Sequence, residues 1–424
     1  MKNREKVPVT DADWANLVRE IERESAKDFA AIDEIALYNQ EKALRAFQNH
    51  RVALQHFNQT TGYGYDDIGR DNLCRVFAEI VGAESSLVSP HILSGTHALS
   101  TALFGILRPG DLMVSVAGAP YDTLLDIIHK PGTGSLADFG ILYEEIPLLE
   151  SGAFDFKHIE DIIRNKRPKM IFVQRSRGYA ARNPFSCSEI GALAGFVKNI
   201  SPETIVFCDN CYGEFTEKSE PVGAGADLMA GSMIKNAGGG IAPNGGYIAG
   251  RKELVELCAN RLTTPSTGAE IGSYAGGYQY FYQGLFLAPH VTAQALKGAV
   301  FMGRLMRAIG YRLIPEPGKN CFDIIRAVEF DSAEELIEFV RQIQFSSPVD
   351  SYVTPFPWDM PGYRDQIIMA AGCFVQGSSI ELSCDAPIRP PYIAYVQGGL
   401  TYEHVKIAAL RCAKKLCEMH PSHS

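Results

Sequence analysis

The chain has 424 residues, of which 46% are hydrophobic and 21% charged, and a net charge of −9. That is ordinary globular usage with room for two or three cores, and the acidic balance without any Lys/Arg-rich run argues against a nucleic-acid binder. No stretch approaches the roughly 18 apolar residues of a membrane span, the polar start "MKNREKVPVTDADW" lacks a signal peptide's apolar core, and the ten scattered cysteines fit reduced thiols, so a cytoplasmic protein that meets no membrane is expected.

In chain order, residues 11 to 56 read as helical, with Asp11 or Asp13 as caps and apolar residues recurring at helical spacing. "NQTTGYGYDDIGRDN" breaks the pattern as a loop, and "LCRVFAEIVGAE" resumes as a second helix. The chain then alternates. "SSLVSPHILSGTHALSTALFGIL" reads as strand, small-residue turn and helix, and "DLMVSVAGAPYDTLLDIIH" repeats the scheme. So does "KMIFVQRSRGY" with "SEIGALAGFVKNI"; "TIVFCDNCYGEF" and "GGYIAG" are further short strands. Such alternation predicts an α/β fold with a mostly parallel sheet, whose site lies in loops at the carboxyl ends of the strands. Residues 268 to 290 give no single pattern, and a long helix is expected from about Val291 to Ile309. After "EPGKN" at 316 to 320 the texture turns to strand ("CFDIIRAVEF"), helix ("SAEELIEFVRQIQF") and more strands, a smaller α+β domain. The expected division is an N-terminal helical arm over 1–60, a large domain over 61–300 and the small C-terminal domain over 301–424.

The stretch "GSMIKNAGGGIAPNGGYIAG" (231–250) sets Lys235 among glycine and small residues. Either it is a solvated loop lysine or its amine is approached closely by another molecule. Asp209 closes the strand "TIVFCD"; alone, it reads best as a turn residue capping the next element. Together, a strand-end carboxylate and a lysine in a small-residue loop suit pyridoxal phosphate, whose aldehyde condenses with a lysine and whose ring nitrogen pairs with a carboxylate. "SGTHA" at 94 to 98 places Gly95 and Thr96 where a helix N-terminus meets a phosphate, or where Ser94 or Thr96 simply caps the helix. Tyr121, after the next strand, would stack on a flat ring or pack in the core. Ser232 lies near enough to Lys235 to share the phosphate. Cys208 and Cys211 form a C-x-x-C with no second pair at zinc-ribbon spacing, so no metal site is expected.

That ordered series resembles the fold-type-I pyridoxal-phosphate enzymes of the cystathionine lyase and methionine gamma-lyase group, in particular their bacterial aluminium-resistance branch. The similarity runs from about residue 25 to 415. It rests on "TGYGYDDIGRDNLCRVFAEIVGAESSLVSPHILSGTHALSTAL", "FCDNCYGEF", "GSMIKNAGGG" and "QGSSIELSCDAPIRPPYIAYVQGGLTYEH". The resemblance implies an aspartate aminotransferase-like fold with pyridoxal 5'-phosphate as cofactor. It implies Lys235 as the Schiff-base lysine, Asp209 as partner of the pyridine nitrogen and Tyr121 as the stacking residue and candidate proton donor. Gly95, Thr96 and Ser232 would hold the phosphate. Tyr65 would reach the phosphate of a neighbouring subunit, in a homodimer or homotetramer that builds each site across an interface. Arg389 in "DAPIRPPY" is the candidate clamp for a substrate carboxylate, since a guanidinium matches a carboxylate bidentately; otherwise it is a surface arginine between prolines.

Two departures from the group stand out. Its arginine two residues beyond the interface tyrosine is replaced by Asp67, so that Arg70 substitutes or the contact is lost. Its asparagine-proline turn is replaced by "QRSRGYAARNP", which adds Arg175 and Arg177 and leaves open which of them faces the substrate. The function expected is a carbon–sulfur lyase acting on a sulfur-containing amino acid, with the Lys235 amine, its proton affinity lowered, as general base. Transamination, racemisation or aldol cleavage on the same cofactor is the alternative, and a non-catalytic stress-resistance module a third. A nucleotide-binding oxidoreductase stands last, because neither G-x-G-x-x-G nor a P-loop is present.

Overall fold

A threonine starts the first helix. In the computed structural model, which describes residues 10–180, 182–316, 322–360 and 365–420, Thr10 Oγ1 accepts from the Asp13 amide at 3.2 Å. The Asp13 carboxylate accepts from the Thr10 amide at 2.9 Å in return. Thr10 is therefore the cap of α1 (Asp11–Asn49), with Asp13 as its reciprocal partner rather than the cap itself. The helix also stops earlier than its periodicity suggests. Arg51 takes φ +49°, which ends helical geometry, and a single 3₁₀ turn over Leu54–Phe57 follows.

By internal contacts the described chain forms two compact units, one of residues 38–288 and one of 10–37 with 289–420. In the first, α1 leads to α2 (Ile68–Val81), β1 (Ser85–Ser89), α3 (Gly95–Ile106), β2 (Leu112–Ser115), α4 (Asp122–His129), β3 (Leu142–Glu145) and α5 (Phe156–Lys166). Then come β4 (Met170–Gln174), α6 (Cys187–Ile200), β5 (Ile205–Asp209), β6 (Leu228–Ser232), β7 (Gly246–Gly250) and α7 (Lys252–Leu262). Among the described residues the strands form one sheet in the order β1-β7-β6-β5-β4-β2-β3. The ladder from β3 to β6 is parallel, whereas β7 runs antiparallel to both β6 and β1. The sheet is thus mixed: mostly parallel, with one reversed strand.

Alternate strand residues feed two cores, as the pleat requires. Ile171, Val206 and Met229 join α2, α5 and α6 on one face. Phe172, Phe207 and Leu228 join α3, α4 and α7 on the other. Each large side chain so buried contributes roughly 1.5–3 kcal/mol. The alternation has a consequence for the site. Asp209 shares the parity of Phe207 and so faces the α3 side, while Cys208 points into the opposite core.

The long helix α8 (Gln279–Ala308) starts twelve residues before its expected beginning and runs through Pro289. A proline inside a helix removes a hydrogen bond and crowds the preceding turn. Phe281, Tyr282, Leu285 and Ala288 are all essentially inaccessible to solvent. Their spacing is that of one helix face, and its burial outweighs the proline penalty.

The second unit holds β8 (Arg312–Ile314), β9 (Ile325–Phe330), α9 (Ala333–Phe345), β10 (Ile367–Ala370), β11 (Ser383–Pro387), β12 (Tyr392–Gln397) and α10 (Tyr402–Met419). Its described strands pair in the order β10-β11-β12-β9-β8, every ladder antiparallel. Trp14 and Ile21 of α1 join Phe301, Leu305, Phe339 and Leu416 in its core. The "EPGKN" break beyond Glu316, and Cys321, lie outside the described residues.

Candidate active site

Four strand ends of the first unit deliver side chains to one place. β5 ends at Asp209, which is buried and paired in register with Gln174 of β4 and Ala230 of β6. β6 ends at Ser232, and Lys235 follows directly. β1 leads through its loop to Ser94, whose hydroxyl accepts from the His97 amide at 3.0 Å and starts α3 with Gly95 as first residue. β2 leads to Tyr121, whose amide donates to Gln174 Oε1 at 3.1 Å.

The contacts among them are close. A side chain on Gly95 would put its Cβ 2.9 Å from Cys211 Sγ and 3.5 Å from Ser232 Cβ. Only glycine lets the α3 N-terminus approach Cys211, just beyond β5, this nearly, while the distance to Ser232 of β6 is an ordinary contact. Thr96 Oγ1 lies 3.0 Å from the Tyr121 hydroxyl. The Asp209 carboxylate accepts from the Cys211 amide at 3.1 Å. The Lys235 ammonium sits 3.5 Å from the centroid of the Tyr212 ring.

Electrostatics bind the group further. Burial pushes the Asp209 carboxyl up, against the pull of Cys211 and Lys235. Burial, then the Asp209 and Cys211 charges, push the Tyr121 phenol well up, so it keeps its proton. For Lys235, burial lowers the proton affinity, but Tyr212, Cys211 and Asp209 outweigh it and the net direction is upward. This corrects the expectation of a lowered amine: the small neighbours dry the site, but acidic groups surround the nitrogen. Lysine amine, buried carboxyl, a tyrosine at the next strand end and a glycine-opened helix N-terminus are the set of groups that pyridoxal phosphate needs. The residues fit that cofactor.

Other candidates are engaged elsewhere. Asp67 is no phosphate ligand: its carboxylate caps α2, accepting from the Gly69 and Arg70 amides at 3.0 Å each and from the Tyr278 hydroxyl at 3.1 Å. Arg70 is buried and donates to the carbonyls of Gly64 (2.9 Å), Glu270 (3.4 Å) and Gly272 (3.5 Å). It thus ties down the loop that carries Tyr65. Tyr65 itself is 61% exposed, its ring 5.6 Å from that of Tyr63. Arg175 is saturated by protein acceptors, among them Asn210 Oδ1 at 2.7 Å, Glu217 at 2.6 Å and the Gly213 carbonyl at 2.9 Å. It holds the loop after β5 together and faces no substrate. Arg177 is fully buried. Arg389, in the second unit, pairs with Asp365 at 2.8 Å and is half exposed.

Reasoning from sequence missed three neighbours of Lys235. Tyr212 lies in "DNCYGEF", where only the aspartate and the cysteine of the C-x-x-C stood out. Asn236 is fully buried and donates to the carbonyls of Tyr212 and Glu214, both at 3.0 Å. Glu214 is buried, accepts from the Tyr247 hydroxyl at 2.7 Å, and is pushed up to about 8 by burial. The glycines of the lysine loop also serve a purpose that the sequence hid. A Cβ on Gly239 would lie 2.4 Å from the Gly284 carbonyl of α8, and one on Gly231 2.5 Å from the Tyr247 hydroxyl. They let backbone pack on backbone and make room for the Glu214–Tyr247 pair.

The methionine gamma-lyase family matches residues 14–417. The chain belongs to that family. It is 51% identical to a solved Listeria monocytogenes protein to which a cystathionine beta-lyase role in aluminium resistance is ascribed, with a TM-score of 0.93 over 95% of this chain and 100% of that one. A solved carbon-sulfur lyase involved in aluminium resistance from Clostridium novyi is 47% identical, with a TM-score of 0.91 over 95% of each chain. YnbB of Bacillus subtilis, itself uncharacterized, is 50% identical over 402 residues, which are 94% of this chain and 95% of YnbB. At 13% identity, the pyridoxal-5'-phosphate dependent protein YhfS of Escherichia coli shares the fold, with a TM-score of 0.61.

Proposed function

We propose that this chain is a carbon–sulfur lyase of fold type I that uses pyridoxal 5'-phosphate to take a sulfur-containing amino acid to a keto acid and ammonia. The observation that carries the reading is the meeting of Lys235 and Asp209 at the ends of adjacent strands, β6 and β5, under the α3 N-terminus opened by Gly95. Membership of the methionine gamma-lyase family supports it, as do the lyase roles ascribed to relatives about half identical. A link to aluminium resistance follows from the same relatives and is proposed with it.

When bound, the cofactor supplies an aldehyde for the lysine and a ring that withdraws electrons from the substrate's α-carbon. The protein's own groups do the rest. Asp209 holds a proton on the ring nitrogen; burial strengthens that bond because water does not compete. The amides of Gly95 and Thr96 and the Ser232 hydroxyl take the phosphate. Lys235 Nζ takes the proton from the α-carbon and hands it on. Tyr121 keeps its own proton, held by burial, and is placed to stack and to protonate a leaving sulfur. The exposed Tyr65 takes the phosphate of a partner subunit in a homodimer or homotetramer.

The test is a screen of sulfur amino acids with purified protein, reading keto acid and ammonia together. Release of both in step, abolished in Lys235→Ala along with the visible absorption band, is the expected result. Conversion of the cofactor to its amine form without ammonia would replace the lyase by an aminotransferase.

A further inference from the structure

The Lys235 amine rests on an aromatic ring. Its nitrogen lies 3.5 Å from the Tyr212 ring centroid, well inside the roughly 6 Å at which a cation is held by a ring's face. Tyr212 reaches that place by a backbone that tyrosine seldom adopts, φ +71°. A non-glycine residue stays in the left-handed region only when its surroundings over-determine it. Here they do so from both sides. Asn236, the residue after the lysine, is fully buried and donates to the Tyr212 carbonyl at 3.0 Å. Beyond Tyr212, the buried Arg175 holds the Gly213 carbonyl at 2.9 Å, and before it the Asn210 side chain at 2.7 Å. One dipeptide, Lys235–Asn236, therefore lays its amine on the ring and clamps the backbone that presents the ring.

We propose that Tyr212 is the positioning residue of this site, holding the Lys235 amine on its ring face whenever that amine is free and protonated. The inference rests on the role assigned to Lys235 above. A nitrogen that must accept a proton from a substrate and then release it needs a partner that steadies the cation without trapping it. A carboxylate at hydrogen-bond distance would trap it. A ring face raises its proton affinity by about tenfold. The ionisable groups that act on this nitrogen are the Tyr212 phenol itself, first among those that raise it, then Cys211 just after β5 and Asp209 at its end, and Glu214 two residues past Tyr212.

The test titrates the lysine directly. The full-length protein, cleared of bound aldehyde with hydroxylamine, is treated with an amine-acylating reagent across a pH series. Modification of Lys235 is counted by peptide mass spectrometry, with the exposed Lys252 of the same chain as reference. In Tyr212→Leu the half-point for Lys235 is expected to fall by about one pH unit while that of Lys252 stays put; Tyr212→Phe, which keeps the ring and loses only the hydroxyl, is expected to fall by less. An unchanged half-point in Tyr212→Leu overturns the proposal. So does an equal fall in Tyr212→Phe, which would assign the effect to the phenol hydroxyl. If Tyr212→Leu fails to fold, Tyr212→Phe against Tyr212→Trp carries the test: a half-point in Tyr212→Trp above that in Tyr212→Phe upholds the ring, and one equal to or below it overturns the proposal. The lyase reading fails separately, by absence of keto acid, with this titration untouched.

Discussion

Glu214 sits in the folded chain as an acid that water cannot reach, and its chemistry follows from that. Its carboxyl titrates near pH 8, against about 4.5 in an exposed chain. Between those values the folded protein carries a proton that the unfolded chain has already released. Stability therefore falls as pH rises through this window and is lowest above it. Glu214→Gln keeps an acceptor for the Tyr247 hydroxyl and removes the titration. Its thermal midpoint is expected to fall less than the parent's between about pH 5 and about pH 9, and equal slopes for the two proteins would refute the assignment. No sequence reading singled Glu214 out, because its two consequences, the partner Tyr247 and the gap left by Gly231, are separated along the chain. The strand-end positions of Gly95, Thr96, Tyr121, Asp209, Ser232 and Lys235 were legible for the opposite reason. The first four follow apolar runs closed by small or turn-forming residues, which mark where a strand stops, whereas Ser232 and Lys235 stood out only by their place in a tract of glycine and small residues.

At the scale of elements, a departure from the family pattern turns out to be a helix cap. Asp67 begins α2 by accepting two backbone amides and a buried tyrosine hydroxyl. Asp67→Ala strips all three, together with the hydrogen bond from the Thr60 hydroxyl, and is expected to cost about 1–2 kcal/mol in urea unfolding. If the residue instead acted on phosphate, cofactor affinity would change and stability would not. The alternating strands and helices of the first unit were readable from periodicity. β3 and β6 were not: the edge strand "LYEE" is mostly half-exposed and "LMAGS" ends in small residues, so neither shows an apolar run. α8 was read too short because proline argues locally against a helix, whereas the aromatic face that overrides it is a matter of packing. α1 starts at Asp11 as read, but its cap moved to Thr10, whose reciprocal bond with Asp13 is a geometric fact before it is a compositional one.

For the molecule as a whole, the family match spans nearly the full chain, and the mostly parallel sheet that the alternation predicted is present, with the reversed strand β7 as a feature the alternation did not predict. Among the described residues no helix is long and apolar enough to cross a membrane. The boundary between the two compact units falls inside α1, after Leu37, and inside α8, after Ala288. Sequence texture offers no linker there because none exists. The exposed Tyr65, on a loop anchored by Arg70, bears on assembly. We expect sedimentation to show a dimer or tetramer, and Tyr65→Ala to weaken cofactor retention without splitting it. A monomer that retains full activity would remove Tyr65 from the site.

The lysine loop differs from the crossover loops in how it is tethered. Residues 233–245 join β6 to its antiparallel neighbour β7, with Ser232 opposite Gly246 and the Met233 amide donating to the Gly245 carbonyl at 3.0 Å. Both ends of the loop are thus pinned to one ladder, and its middle is pressed against α8 at Gly239. For anyone diversifying this scaffold, that sets an asymmetry. An insertion in the crossovers after β1 and β2 would displace Gly95, Thr96 or Tyr121 but leave the β6–β7 register alone. A single insertion between Ser232 and Gly246 would have to shift the register of the ladder or lift the loop from α8, and either would carry the reactive amine away with it.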